Sequence, residues 1–447
     1  MDMREVARAR FAVPDLTPAD CRGRIGVLFP FRGFDSVPCL VAAVELLCES
    51  GFVVDVFVPG GTEDGLSDLS YFETGRAGFP AFSESEIAKL RVARFVPYGV
   101  FERVAGPVVR SRLGRAAARK LAAEPEAERS YACLIGVDPE GLINAQTWSR
   151  CLGAPFMYWS LEILIREELR SPWFLRLKDR EVAANRDAFL TIVQDKDRAS
   201  LLAAQNDIPT DRIVYVPNAY RGAARRRKSF FAHQLLDISP EETVVLAPGS
   251  VAPWAMSEQI VSSASDWPEG FVLVVHARFD IRDNAYARRV VTAADPKRVR
   301  FSTSPLPTDE YAALIDSADI GLALYQPQQR ERYDQGNLRA LGLSSGKLAA
   351  FLRAGVPAIV SRLRGAADLV EEYECGAVID GAEGLPSALG MVRDRQDEFG
   401  ANAVKAFDGR LSVDRHFQPV LAALAGLARP TSPGAIMEAR LWTRTSL

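Results

Sequence analysis

Short apolar runs alternate along the chain with longer stretches whose apolar positions recur every three or four residues. Arg24-Ile25-Gly26-Val27-Leu28-Phe29-Pro30 predicts a buried strand, followed by a loop through Phe31 and Ser36. VPCLVAAVELLCESG then reads as an amphipathic helix stopped by Gly51, and FVVDVFVPGG as the next strand. Strand, loop, helix and strand in about 35 residues make a βαβ unit, hence a parallel, helix-covered sheet. YACLIGVD, APFMYWSLE, AFLTIVQD and RIVYVPNA continue the strands, with helical stretches such as DKDRASLLAAQ between them. This predicts one doubly wound unit over 1–222. Residues 223–234, with the basic run Arg225-Arg226-Arg227-Lys228, read as a solvated linker. ETVVLAPGS, GFVLVVHARF, RVRFSTSP, ADIGLALYQP and VPAIVSRL repeat the rhythm and predict a second such unit over 235–400. Residues 401–447 are expected to be a helical stretch and a loosely attached tail. The expected class is α/β, two Rossmann-like parallel sheets facing each other across a cleft lined by strand carboxyl ends.

Composition narrows the chemistry. The 447 residues are 48% hydrophobic and 25% charged, which suits a globular chain of more than one domain. Net charge is −3, from 54 basic and 57 acidic residues, so no overall field draws nucleic acid. The six cysteines are scattered without a C-x-x-C pair, which argues against a metal site or disulfide framework and for a reducing cytoplasm. The acids and arginines of MDMREVARARFAVPD do not read as a signal peptide, and no apolar run reaches bilayer length.

The segment with the clearest chemistry runs from Asn337 to Ser361. Ser344 and Ser345 are good N-cap residues, and Gly346 allows close backbone approach. KLAAFLRA then forms a helix closed by Gly355, with Pro357 opening a strand. The loop is expected to deliver amides, two hydroxyls and Lys347 to one helix N-terminus, an anion site suited to a diphosphate. An ordinary capped helix with a surface lysine is the alternative.

With SADIGLALYQP before it, LDISPEETVVLAPGS opening the second unit and RIVYVPNAY closing the first, this segment resembles the GT-B glycosyltransferases. The resemblance is to the large retaining, family 4-like group that includes bacterial sucrose- and mannosyl-transferring enzymes, in a branch with a Ser-Ser-Gly-Lys donor loop. It spans residues 24–400 and is strongest over 235–380. It implies a nucleoside-diphosphate sugar as donor, no cofactor, and an acceptor hydroxyl on a saccharide, a lipid-linked sugar or a small molecule. The chain departs from the pattern in one respect. The group's two glutamates, with seven residues between them, align with Gly342 and Ala350. Sugar and ribose are therefore expected to meet Tyr325, Asp334 and Asn337.

Gly249 and Ser250 follow a strand where loop amides approach phosphate, and Arg278 ends another strand as a guanidinium fork. His276 reads as a core histidine. Asp138 and Glu162, at strand ends facing the cleft, are the candidates to orient or deprotonate an acceptor hydroxyl, with a helix cap the alternative for Asp138. Tyr158 and Trp159 offer surfaces for a sugar ring, and Arg32 and Gly33 complete the cleft floor on the acceptor side. Residues 107–123 form a basic helix with a thin apolar stripe, read as a solvated surface helix rather than a peripheral membrane contact. Lys347, with Ser344 and Ser345, is expected to neutralise the leaving diphosphate. No metal is implied, because no carboxylate pair stands beside that loop. A catalytically silent scaffold and a sugar-nucleotide epimerase are the competing readings. A dinucleotide oxidoreductase is disfavoured, because no G-x-G-x-x-G follows the first strand.

Overall fold

The computed structural model describes residues 22–31, 34–60, 90–97, 130–277, 281, 284–328 and 335–427. Thirteen strands among them form two sheets in which every neighbouring pair is parallel.

The N-terminal sheet contains β1 (Arg24–Leu28), β2 (Val53–Gly60), β3 (Leu90–Pro97), β4 (Tyr131–Val137), β5 (Phe156–Trp159), β6 (Thr191–Val193) and β7 (Ile213–Tyr215), in the order β3-β2-β1-β4-β5-β6-β7. Its helices are α1 (Pro38–Glu49), α2 (Asp138–Leu152), α3 (Pro172–Asp187) and α4 (Lys196–Asn206). The C-terminal sheet contains β8 (Thr243–Gly249), β9 (Phe271–Ala277), β10 (Val299–Ser302), β11 (Ile320–Ala323), β12 (Ala358–Ser361) and β13 (Gly376–Ile379), in the order β10-β9-β8-β11-β12-β13. Around it lie α5 (Phe231–Leu236), α6 (Ser257–Ser263), α7 (Ala285–Thr292), α8 (Thr308–Asp316), α9 (Gln335–Arg339), α10 (Gly346–Arg353), α11 (Ala366–Tyr373) and α12 (Leu385–Asp394).

Helices on both faces explain the uninterrupted apolar strands. All seven residues of β9 are buried, as expected for a strand with no solvent face. Apolar runs predict eleven of the thirteen strands and miss β3 and β13. Both are edge strands with a single partner. Such a strand needs less apolar character, and β3 carries two arginines in LRVARFVP.

Three further helices follow: α13 (Gln396–Arg410), α14 (Val413–His416) and α15 (Gln418–Leu427). They return to the N-terminal sheet, where α14 packs on α1 and α15 on β4. Phe417 stacks on Trp159 with ring centroids 5.9 Å apart, and Val413, Val420 and Leu424 join the same core. Trp159 is therefore core, not a surface for sugar. Arg221 ties the return down, with bonds to Glu49 at 2.8 Å and Asp414 at 3.1 Å. Arg225, Arg226, Arg227 and Lys228 are exposed, as a solvated linker requires.

Behind β5 and β6 lies a polar network without solvent. Lys178 and Glu181 are both fully buried and 3.0 Å apart. Glu181 also accepts from the Tyr158 hydroxyl at 2.9 Å, and Lys178 donates to Asn206 at 2.6 Å. The Tyr158 side chain is thus spent inside the unit. Removing one partner strands a buried charge, which costs far more than replacing both. Lys178→Ala is expected to lower stability by about 3–5 kcal/mol, and Lys178→Met with Glu181→Leu by much less. Urea unfolding of the two variants checks this.

Candidate functional site

The helix α10 begins at the carboxyl end of the C-terminal sheet. Ser345 is its N-cap, in extended backbone, and its Oγ accepts from the Leu348 amide at 3.3 Å. The same hydroxyl lies 2.7 Å from the Tyr325 hydroxyl, while the Ser344 hydroxyl donates to the Leu341 carbonyl. This corrects the expectation that the two serines and the Tyr325 hydroxyl face a ligand. Capping and turn closure occupy them. The amides of Gly346 and Lys347, in the first turn, have no bonded acceptor among the described residues. They are what the helix end offers.

Lys347 reaches over the sheet edge toward Gly249, whose φ is +111°. It joins Gly249 and Ser250 in lining a small open hollow whose lining also includes Val275, Leu322 and Leu324. Its ammonium stands 4.6 Å from the centroid of the Tyr325 ring, and that ring stacks on Trp254 at 6.0 Å, the planes 6° apart. No carboxylate pairs with Lys347 among the described residues, and burial lowers its pKa to about 8. A cation at a helix N-terminus opposes the helix dipole. It is locally unfavourable unless an anion sits before it.

The facing wall comes from the N-terminal sheet. Asp138 starts α2 directly after β4 with φ +54°, and its Oδ1 accepts from the amides of Leu161 at 2.8 Å and Glu162 at 2.9 Å. Its partners belong to the β5 loop, so it is no helix cap. Burial first, then the Glu162 charge, raise its pKa to about 8, so it is protonated at neutral pH. Glu162 is half-buried, and its Oε2 accepts from the Asn337 side-chain amide. Its Oε1 has no partner among the described residues. Burial above all, with the Glu162 charge a smaller contribution, holds the Tyr325 hydroxyl in its protonated form.

Asn337, expected on the donor, is 5% exposed and committed elsewhere. Besides bonding Glu162, it accepts from the Ile163 amide at 3.0 Å and Arg198 at 3.1 Å. It is one of several bonds by which the N-terminal side holds residues 336–344. Arg198 donates to the Ala340 carbonyl at 3.0 Å, and Asp195 accepts from the Leu343 amide at 2.8 Å. Asn218 donates from its backbone to Leu343 at 2.9 Å and from its side chain to Ser344 at 3.0 Å. Glu168 accepts from the Gly336 amide at 2.8 Å. Sequence reasoning did not single out Asp195, Arg198, Asn218 or Glu168. The available signal was their position just past strand carboxyl ends, where α/β sheets place their working residues.

His276 is a core histidine, 2.9 Å from the Ser302 hydroxyl and held neutral by burial, with its pKa lowered to about 4. Arg32, Gly33, Arg278, Asp334 and the stretch 107–123 lie outside the described residues. Among the described residues no helix is long and apolar enough to cross a membrane.

Neither a protein-family model nor a curated protein matches the sequence. Solved structures do match. Anabaena HepE in complex with UDP-glucose superposes with a TM-score of 0.65 over 90% of this chain and 100% of its own, at 14% identity. Sucrose-phosphate synthase from Thermosynechococcus elongatus gives 0.64 over 90% and 100%, also at 14% identity. WaaG, a glycosyltransferase of lipopolysaccharide biosynthesis, gives 0.57 over 91% and 100%, again at 14% identity.

The fold is GT-B. Parallel α/β sheets take ligands at the carboxyl ends of their strands, where Lys347 stands on the C-terminal sheet and Asp138 and Glu162 on the N-terminal one.

Asp138 gives the first test of this site. Its folded pKa is raised, so between about pH 4 and 8 the folded state holds a proton that the unfolded state has lost, and stability falls as pH rises. Asp138→Asn keeps an acceptor for both amides and tolerates positive φ. The variant is expected to match the wild type near pH 4 and to melt progressively higher than it up to pH 8. Melting curves across that range show it; parallel profiles would mean that Asp138 ionises normally.

Proposed function

We propose that this chain is a glycosyltransferase that moves a sugar from a nucleoside diphosphate to an acceptor hydroxyl. The single observation that carries the reading is Lys347, an ammonium without a counter-ion beside two unbonded amides at a pocket mouth. Held in a GT-B fold, these groups suit the diphosphate of a donor. The HepE structures that superpose on this chain hold UDP, UDP-glucose and glucose, which supports a donor of this class.

In this reading the amides of Gly346 and Lys347 and the Lys347 ammonium bind the diphosphate oxygens, with the loop at Gly249 and Ser250 alongside. As the bond from the sugar to the diphosphate breaks, negative charge grows on the leaving oxygens against fixed donors. A bond forms from the acceptor oxygen to the sugar carbon. The acceptor proton passes to Glu162 Oε1, and protonated Asp138 fixes the loop that carries Glu162. Catalysis then needs no metal, and the family 4-like branch is the proposed home of the chain. The acceptor is a saccharide, a lipid-linked sugar or a small molecule. The buried cysteines Cys39, Cys133 and Cys375 form no disulfide among the described residues, which accords with a cytoplasmic setting.

Lys347→Ala tests the reading. Below its folded pKa of about 8 the partly buried ammonium costs stability, so the empty variant is expected to be as stable as the wild type or slightly more so. Affinity for UDP or another nucleoside diphosphate should fall by about 1.5–3 kcal/mol, roughly 10- to 150-fold. Wild-type affinity should also weaken as pH rises through 8, and the variant's should not. Calorimetric titration decides. Unchanged affinity with lowered stability would make Lys347 structural, and binding without turnover of any donor would favour the silent scaffold.

A further inference from the structure

We propose that Asn337 is a positioning residue for Glu162, presenting one carboxylate oxygen to the site from across the boundary between the sheets. The inference rests on the transferase reading above and adds a role for a residue that the sequence places on the donor. The Asn337 side-chain amide has two ends, and both are used on the N-terminal side. Its oxygen accepts from the Ile163 amide and from Arg198, which fixes the plane of the group. Its nitrogen must then point at Glu162 Oε2, and it donates there. A carboxylate held by one oxygen and by its own backbone, through Asp138, keeps the other oxygen in one direction. That oxygen, Oε1, is the only Glu162 side-chain acceptor without a partner among the described residues.

Arg198 completes the device. It is 1% exposed, and its guanidinium spans the Leu161 carbonyl at 2.6 Å, the Ala340 carbonyl and Asn337. It thereby ties the strand end that carries Glu162 to the loop that carries Asn337. A domain opening that pulled this loop away would leave Glu162 unheld, so the base is in place only while the donor loop is.

Two substitutions separate this from a plain clasp. Asn337→Asp keeps the oxygen that serves Ile163 and Arg198 and replaces only the donor to Glu162 with an acceptor. Glu162→Gln keeps an oxygen for Asn337 and removes the charge. Combined, they restore a donor–acceptor pair with reversed polarity. Turnover of a nucleoside-diphosphate hexose, chosen from a panel headed by UDP-glucose, is measured with UDP affinity and melting temperature. Asn337→Asp is expected to lower kcat at least tenfold and Glu162→Gln about 100-fold, the scale of general-base catalysis. UDP affinity should stay within about threefold, since neither residue holds phosphate in this scheme. The double variant should recover the melting temperature and remain as inactive as Glu162→Gln alone, a non-additive pair. Recovery of kcat by the double variant would make the pair a clasp only. Loss of UDP affinity in Asn337→Asp would put Asn337 on the donor. Either result overturns the proposal while leaving the transferase reading intact. A wild type that turns over no donor overturns that reading and this role with it.

Discussion

Residues 336–345, between β11 and β12 of the C-terminal sheet, lie against the N-terminal side with backbone groups that no strand or long helix serves, and buried backbone polar groups must be paired. The N-terminal side supplies the partners. Glu168, Arg198, Asp195 and Asn218 take the amides and carbonyls of Gly336, Ala340, Leu343 and Ser344 in turn. This borrowed pairing sets where Ser345 sits. Ser345 caps α10, and α10 presents the amides of Gly346 and Lys347. The N-terminus of α10 in one half is therefore placed partly by the other.

Charge placement follows the same boundary. Three ionisable groups there are displaced from their ordinary state by burial. Asp138 keeps its proton, Lys347 releases one more readily, and Arg198 has its pKa lowered despite the nearby charges of Glu162 and Asp195. Only Arg198 has carboxylates placed to compensate it, and its Nε still lacks a partner. Lys347 has none. A buried charge without a counter-ion is expensive. Of the three, Lys347 alone carries that cost among the described residues.

The fold was legible because buried parallel strands write themselves as unbroken apolar runs. Only β3 and β13 escaped, since an edge strand needs less of that signature. The capped helix α10 was legible too, through Ser345 and Gly346 at its start. What the serine hydroxyls do was not legible, because a capping hydroxyl and a ligand-binding hydroxyl have the same sequence. The partners of Asn337 lie well over a hundred residues away, at Glu162, Ile163 and Arg198. No local pattern encodes them. Asn337, read as meeting the donor, makes its bonds to the N-terminal side.

The departure from the family pattern at Gly342 has a physical cause in the same clasp. Gly342 has φ +51°, a conformation that favours glycine. A Cβ there would land inside the Asp195 carboxylate, and Gly365 lies so close behind that its own Cβ would strike the Gly342 Cα. Asp195 comes this near because its two oxygens do two jobs: one caps α4 through the amides of Asp197 and Arg198, the other takes the Leu343 amide. A glutamate at 342 would have to expel that carboxylate and uncap α4. Ala350, the second position, is 8% exposed and lies in the apolar core, where a longer acidic side chain would bury a charge. An acidic group at 342 and the Asp195 clasp are thus mutually exclusive, while one at 350 is disfavoured by burial. The carboxylates near the crevice are accordingly on the N-terminal wall, at Asp138 and Glu162, and Asn337 links that wall to the loop that would otherwise have carried one.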